Sequence, residues 1–422
     1  MQYVWQHRLF SPIGLRTVDG RRISIINPGL LNNGPGPDFF NASIEIDGQK
    51  WVGNVELHVR ASDWLRHGHQ NNDAYDSVIL HVVDVDDTII RRANGAIIPQ
   101  MRLPCSPDLH IHYRQLTANA PSDLTCATAI MATPRIYLTD WISSLAYERL
   151  HQKSERIMDQ LEQYAGDWES TAYVTLARAL GMGINAEPFE RLARSLPLRF
   201  IRKHTDNPIA VEALFFGQAG MIPQGATDDE YVEAMRTEYA FLANKFSLSA
   251  PTMLGWKNSG IRPGNCPQRR IAYLAMLATE GKPLMAAIND IRSLDDARTL
   301  FARSLQGYWA THYNFSPNSS PSLTRPVNPD VLIINAAVPL IYSYGSYVGD
   351  TSKTDLAIRL LEELPPEHNR LVDIFAAAGI KPANSLESQA LIQLRRSYCE
   401  QRKCSYCRFG HQLLSSAAIR QQ

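Results

Sequence analysis

The 422-residue chain reads as an α+β protein, with a β-rich N-terminal α/β domain followed by an all-α helical domain. Two observations predict this. Up to about residue 115 the chain looks β-rich, with short strand-like runs ended by turn residues and clean alternation over 51–59. From Pro134 onward the apolar residues recur at helical spacing, as an amphipathic helix requires. Pro104, Pro107, Pro121 and Pro134 punctuate the change, which predicts domains at 1–115 and 135–422 joined by a connector at 116–134.

The N-terminal elements follow in order. Residues 2–10, with Val4, Trp5 and Leu9 apolar, form a helix ahead of the sheet. Arg22 to Ile26 is a strand closed by Asn27-Pro28-Gly29. Phe39 to Ile46 is the next; Asp47-Gly48 turns it back into the strand Trp51–Val59. Ser62 to His69 is a capped short helix or loop, and Ser77 to Val83 is a buried strand. Beyond the connector, helices are expected at 173–180, 186–203, 208–220, 228–246, 268–279, 283–304, 330–344, 353–363, 367–378 and 384–399, preceded by an amphipathic stretch carrying Ile142, Leu145, Leu150, Ile157 and Leu161.

Composition excludes little, because Lys+Arg and Asp+Glu both total 42. Local charge is more informative. Residues 30–95 carry ten acidic and five basic side chains, which suits a hard cation, whereas 381–422 carry seven basic and two acidic, which suits phosphate. Met1 to Arg8 lacks the pattern of a signal peptide. The uncharged, apolar stretch Val331 to Gly349 contains Asn335, Pro339, two serines and three tyrosines, so a buried helix is expected there rather than a membrane span. Six cysteines, three of them near the C-terminus, suggest metal ligands or thiols in a cytoplasmic protein. There is no phosphate-binding G-x-x-x-x-G-K-[ST], no dinucleotide G-x-G-x-x-G and no G-x-S-x-G nucleophile elbow.

Candidate chemistry begins at Gly36-Pro37-Asp38 and Gly53-Asn54-Val55-Glu56-Leu57-His58. On the second strand Asn54, Glu56, His58 and Arg60 share one face. A polar face that simply meets solvent explains this equally well. Asp38 has the parity of Ala42 and Ile44, so a bulge at its strand start is needed to bring it to Glu56. Asp38 and Glu56 would then hold Mg²⁺ or Mn²⁺ for phosphodiester hydrolysis, with His58 orienting or deprotonating the water. His67, His69, Asp63 and His81 offer a further site, a zinc or manganese centre formed by His58, His67 and His69 with a carboxylate. For His81 the simpler reading is a hydrogen-bonded core histidine.

Cys399-x4-Cys404-x2-Cys407 with His411 supplies four zinc ligands. An iron–sulfur cluster is the rival and needs a fourth cysteine, Cys105, Cys126 or Cys266. Buried thiols without metal are the plain alternative. Arg395, Arg396, Arg402 and Lys403, interleaved with Tyr398, Tyr406 and Phe409, suit nucleic acid or a solvated helix end. Arg262, Arg269 and Arg270 flank a helix start and suit either an anion or interior packing.

Residues 2–84 resemble the PD-(D/E)xK nuclease superfamily, with Asp38 and Glu56 at the motif carboxylates and His58 where lysine is usual. The resemblance implies a mixed-sheet, restriction-endonuclease-like α/β fold and metal-dependent cleavage of DNA or RNA; some members carry an iron–sulfur cluster. Across nearly its full length the chain also resembles an uncharacterised bacterial family. The shared landmarks are Asn33–Phe39, Gly53–His58, Ser62-Asp63-Trp64, Val78–Val83 and the final cysteines. That family implies no activity. A binding or scaffold protein with an inactive nuclease-like fold, and a histidine-based zinc hydrolase, are the alternative functions.

Overall fold

The computed structural model describes all residues except 33, 93, 104–106, 119–123, 226–227, 250–253, 258–265, 280–281, 316–318, 321–322, 324–326 and 420–422. A six-stranded mixed sheet forms the N-terminal part. Its strands are β1 (Ile23–Asn27), β2 (Leu30–Leu31), β3 (Phe39–Ile46), β4 (Gln49–Arg60), β5 (Val78–Val85) and β6 (Gln100–Arg102). The order is β1-β3-β4-β5-β6, with β2 beside β3. β1, β3 and β4 pair antiparallel, while β4–β5 and β5–β6 are parallel. The expected helix, three strands, connector and strand are present; β2 and β6, too short to show a period, are additions.

The β3–β4 hairpin explains how one face receives its chemistry. Asp47-Gly48 makes the turn, both with positive φ (50° and 83°). At the other end the register slips between Phe39 and Ala42, where Asn41 takes φ 54°. This is the bulge that the parity of Asp38 required, and it brings Asp38 alongside Glu56 and Leu57. The connector from β4 to β5 holds α2 (Asp63–Arg66; the preceding helix, Gln2–Gln6, is α1) and two short 3-10 turns, His69–Asn71 and Asp73–Tyr75.

The sheet is covered on both sides. Trp5 of α1, Phe39, Ile44, Val55, Leu57, Leu80, Val82 and Met101 form one apolar core with Leu414 of the tail helix Arg408–Ile419. On the opposite side Trp64, Tyr75, Val78, Ile90 and Ile98 form a smaller cluster. Residues Val55, Glu56, Leu57 and His58 are consequently all buried. At Glu56 and His58 the polar face of β4 is therefore roofed by its own connector, while Arg60 at its end stays exposed.

Chain contacts divide the protein into two compact units. One contains Met1–Leu138, Ile374–Ile380 and Leu394–Gln422; the other contains Thr139–Asp373 and Lys381–Gln393. This differs from the contiguous division at 116–134, because the cysteine-bearing tail folds with the sheet. Its physical cause is Leu414 and its neighbours, which bury their apolar surface in the sheet's core.

The second unit is helical. Asp167 accepts from the amides of Glu169 and Ser170 to start Trp168–Leu180. Pro197 separates Ala186–Ser195 from Leu198–Ile201, so the single segment expected over 186–203 is two. The segment expected over 283–304 is likewise broken, into Leu284–Asn289 and Leu294–Phe301. The apolar stretch Pro329–Val348 is long enough to span a membrane by length and composition, but 61% of its apolar window is buried in the protein. It belongs to the helical core with Tyr173, Phe215 and Tyr273.

At Gly53, β4 packs tightly against the start of β5. A Cβ there would overlap the Ile79 side chain and approach the Ser77 carbonyl oxygen to 2.6 Å. Gly53→Val is therefore expected to destabilise the first unit by about 1–3 kcal/mol, read as a lowered denaturant midpoint. An unchanged midpoint would contradict the packing described.

Candidate metal centre

Glu56 and His58 sit two apart on β4, and β4 registers Glu56 against His81 of β5, which in turn registers against Gln100 of β6. Four polar residues thus form a patch on one sheet face, nearly closed to solvent: Glu56 is 5% exposed, His58 7% and His81 0%. After β4 the chain turns at Asp63, whose Oδ2 accepts the Arg60 amide (3.1 Å) and whose Oδ1 pairs with Arg66 (2.9 Å). Asp63 is thereby a turn residue. Gly68 then adopts φ 74°, a left-handed conformation that costs other residues strain; it lies between His67 and His69, both of which reach His58.

The hydrogen bonds assign the imidazole protons. Gln100 Nε2 donates to Asp86 Oδ1 (2.8 Å) and to the Thr88 carbonyl (3.0 Å), leaving Gln100 Oε1 toward His81 Nδ1 at 3.3 Å. His81 Nδ1 is therefore the donor and its Nε2 the acceptor, so His58 Nδ1–H donates to His81 Nε2 at 2.9 Å. His58 Nε2 is left with a lone pair. It lies 3.1 Å from His67 Nδ1 and 3.5 Å from Glu56 Oε1, and Glu56 Oε1 lies 3.4 Å from His69 Nε2. His81, expected as a hydrogen-bonded core histidine, is one, and through that bond it sets the tautomer of His58.

These separations suit one ion. Tetrahedral nitrogen and oxygen ligands at ~2.0–2.1 Å from zinc stand about 3.3–3.4 Å from each other. The donor atoms of His58, His67 and His69 all lie within 4.8 Å of one another. His69 Nε2 is buried and has no hydrogen-bond partner, an unsatisfied state that a ligated ion would relieve. The His69 ring is held by stacking on Tyr75 (centroids 3.8 Å apart) and edge-on contact with Trp64.

Asp38 enters differently. Its backbone N–H donates to Glu56 Oε2 (2.9 Å), and its Oδ2 accepts the Leu57 amide (2.9 Å) while Oδ1 accepts from Gln2 (2.5 Å). The bulge brings Asp38, Glu56 and His58 into one neighbourhood. However, Glu56 turns its second oxygen toward the histidines, and both Asp38 oxygens are engaged elsewhere. The donor atoms that converge are those of His58, His67 and His69, with Glu56 Oε1 beside His58 and His69. Trp64 belongs to the Ser62-Asp63-Trp64 landmark, whereas Gln100 and Tyr75 carry no signal in the sequence; Gln100 lies on a three-residue strand without a readable period.

Electrostatics reflect this crowding. Burial, then neighbouring His81, His69 and His67, lowers the His58 pKa to about 3. Burial lowers His81 to about 4, and burial with His67 lowers His69. Burial followed by the Asp38 charge raises Glu56 to about 8, and burial raises Asp38. A cation at the centre would favour the ionised carboxylate and exploit the neutral imidazoles.

The remaining candidates lie elsewhere. Arg269 and Arg270 are buried, and donate to the carbonyls of Trp309 (3.4 Å) and Leu180 (3.0 Å). They satisfy the interior and present no cation to a solvent phosphate. Arg262 and Cys105 lie outside the described residues. Arg395 is buried beside Glu400 (3.6 Å), whereas Arg396, Arg402 and Lys403 are exposed. His411 contacts Tyr3 Oη (2.8 Å) and Ser415 Oγ (3.2 Å) through its two ring nitrogens.

The fold and the site together define an α+β protein with a buried histidine–carboxylate cluster on its mixed sheet. The chain belongs to the family described as Protein of unknown function (DUF2851), which matches residues 1–370 and so includes the whole cluster but stops short of the tail cysteines. No curated protein and no solved structure matches it.

The cluster gives the metal-free protein a defined pH response. His58 and His81, depressed from ~6.5, add stability above that pH that is lost on acidification toward 4 and 3; Glu56, raised from ~4.5, adds stability below 4.5 that is lost as pH rises through 8. Between pH 6.5 and 8 the Glu56 contribution falls by ~1.4 kcal/mol per pH unit at most. In chelator-treated protein, Glu56→Gln is expected to lose that alkaline decline, as shown by urea titrations at several pH values. Equal slopes in the two proteins would contradict the buried, protonated carboxyl.

Proposed function

We propose that this protein is a metal-dependent hydrolase acting on phosphodiesters in DNA or RNA. Its ion is held by His58 Nε2, His67 Nδ1, His69 Nε2 and Glu56 Oε1. The observation carrying this reading is that the three imidazole donors lie within 4.8 Å of one another, with His58 Nε2 3.1 Å from His67 Nδ1 and Glu56 Oε1 3.5 Å from His58 Nε2 and 3.4 Å from His69 Nε2. A divalent ion of the zinc or manganese class would polarise a phosphoryl oxygen and acidify water. His67 is exposed, which gives substrate its approach from that side.

The surrounding residues have positioning roles. Asp38 clamps Glu56 by giving it an amide hydrogen bond while accepting one from Leu57. His81 and Gln100 hold the His58 tautomer. Support for a phosphodiester substrate comes from the sheet: a helix, three antiparallel strands, a short helix and a parallel strand occur in the order of the PD-(D/E)xK core. His58 occupies its lysine position, and this is the departure that moves the ion from a carboxylate pair to a histidine set. The exposed Arg396, Arg402 and Lys403 supply cations for a phosphate backbone. Cytoplasmic residence is part of the same proposal.

A second reading has one observation in its favour. Four protein ligands also describe a closed structural zinc site, as a non-catalytic binding or scaffold protein would have. Cobalt substitution separates the two, since a four-coordinate ion absorbs far more strongly in the visible than one that adds solvent.

His69→Ala and His67→Ala are each expected to weaken zinc or manganese binding at least tenfold and to remove hydrolysis of bis(p-nitrophenyl) phosphate, single-stranded DNA and RNA. Asp38→Asn should keep the ion and slow turnover. Calorimetry showing unchanged binding in both histidine variants would refute the site. Tight binding without hydrolysis of any of these substrates would refute the enzyme.

A further inference from the structure

The helical unit carries a basic run that the ion site does not use. From Arg191 to Lys203 five cations occur without an acid. The fold neutralises three of them: Arg191 pairs with Glu187, Arg194 with Glu190 (3.0 Å) and Arg202 with Glu169 (3.2 Å). Arg199 and Lys203 are exposed and take part in no ion pair among the described residues.

Local structure turns these two outward. Pro197 separates the preceding helix from the single turn Leu198–Ile201, whose Leu198 and Ile201 are buried. Arg199 and Lys203 are left toward solvent, with Phe200 half-buried between them. The helix Glu230–Phe246 ends beside this turn, where Ser247 takes φ 52° and stops it. Phe241 and Lys245, four positions apart, share its exposed face.

The two elements meet through their rings. Phe200 and Phe246 stack with centroids 4.5 Å apart and planes 20° from parallel. The Arg199 guanidinium lies 4.8 Å from the Phe200 centroid, and Lys203 Nζ lies 5.5 Å from that of Phe246. Lys245 Nζ is 5.3 Å from Phe246, 5.7 Å from Phe241 and 3.4 Å from His204 Nε2. Three exposed cations are thus gathered over adjoining rings, and no carboxylate pairs with any of them among the described residues. The ring faces hold the cations in place but leave their mutual repulsion standing, which a polyanion would offset.

We propose that this surface of the helical unit binds single-stranded nucleic acid, with phosphates on Arg199, Lys203 and Lys245 and an unpaired base on Phe241, which is 60% exposed. Cations interleaved with rings match a strand whose base faces are free, whereas a duplex offers phosphates and hides those faces. An anionic lipid surface calls for several apolar side chains protruding together; here Phe200 and Phe246 are half-buried and Phe241 alone stands out. The choice of ligand rests on the phosphodiester reading above. The surface itself lies in the unit that does not hold the ion site and needs no ion to bind.

The test is fluorescence anisotropy of a labelled oligothymidylate of about 20 nucleotides, titrated with full-length protein in chelator at several salt concentrations. Lys203→Ala/Lys245→Ala is expected to weaken binding at least about tenfold at low salt. It should also flatten the slope of log affinity against log salt by about 1.4, as loss of two single-strand phosphate contacts requires. Phe241→Ala should weaken binding severalfold at an unchanged slope, and a duplex of equal length should bind less tightly. His69→Ala should bind as the unaltered protein does, so binding retained without hydrolysis would sink the ion reading and leave this one standing. Far-ultraviolet circular dichroism checks that each variant folds. Absence of oligothymidylate binding, or affinity and slope unchanged in the folded double variant, would overturn the proposal. So would equal competition by inorganic polyphosphate with Phe241→Ala silent, or capture by phosphatidylserine vesicles in place of the oligonucleotide.

Discussion

The bond from His58 Nδ1–H to His81 Nε2 is the constraint on which the candidate site depends. Two imidazoles buried side by side on one sheet face cannot both carry protons on their facing nitrogens, and neither can be charged without a large desolvation cost. The Gln100 amide resolves this by accepting from the outer nitrogen of His81. Asp86 and Thr88 fix the amide in turn. A relay across three strands therefore ends in one lone pair on His58 Nε2, beside His67 Nδ1 and Glu56 Oε1. Parallel pairing of β4, β5 and β6 places those residues in adjacent register, so sheet topology and imidazole chemistry are one design.

The connector between β4 and β5 has two functions. Trp64 and Tyr75 shield the polar face and hold the histidine rings, while His67 and His69 add donors from outside the sheet. Shielding matters electrostatically, since a cation attracts the carboxylate more strongly where water is excluded. It also accounts for the resting state. Without a cation Glu56 keeps its proton near neutral pH, and His69 Nε2 is buried without a partner. Such a cluster stores a penalty that ion binding would release.

Much of the fold is legible in the residues, for definite reasons. β1, β3 and β4 announce themselves by alternation and by Asp47-Gly48, β5 by its nearly continuous apolar run, and the mismatched parity of Asp38 requires the bulge that Asn41 makes. The covering of Glu56 and His58 is not legible, because a polar face reads the same whether water or a connector lies over it. Gln100 escapes notice on a strand of three residues. The return of the tail is a tertiary event, carried by apolar side chains such as Leu414 that would serve equally well in a helical domain. Arg269 and Arg270 show the converse, since burial of a guanidinium among backbone carbonyls leaves no trace in local sequence.

The central claim is that three imidazoles and one carboxylate form an ion site on the sheet. Its most direct test is a crystal structure of the zinc-soaked protein with data collected on both sides of the zinc absorption edge. The account predicts an anomalous peak at ~2.0–2.2 Å from His58 Nε2, His67 Nδ1, His69 Nε2 and Glu56 Oε1. A fully loaded crystal with no peak there, or with zinc bound between Asp38 and Glu56 and the histidines turned away, would contradict it.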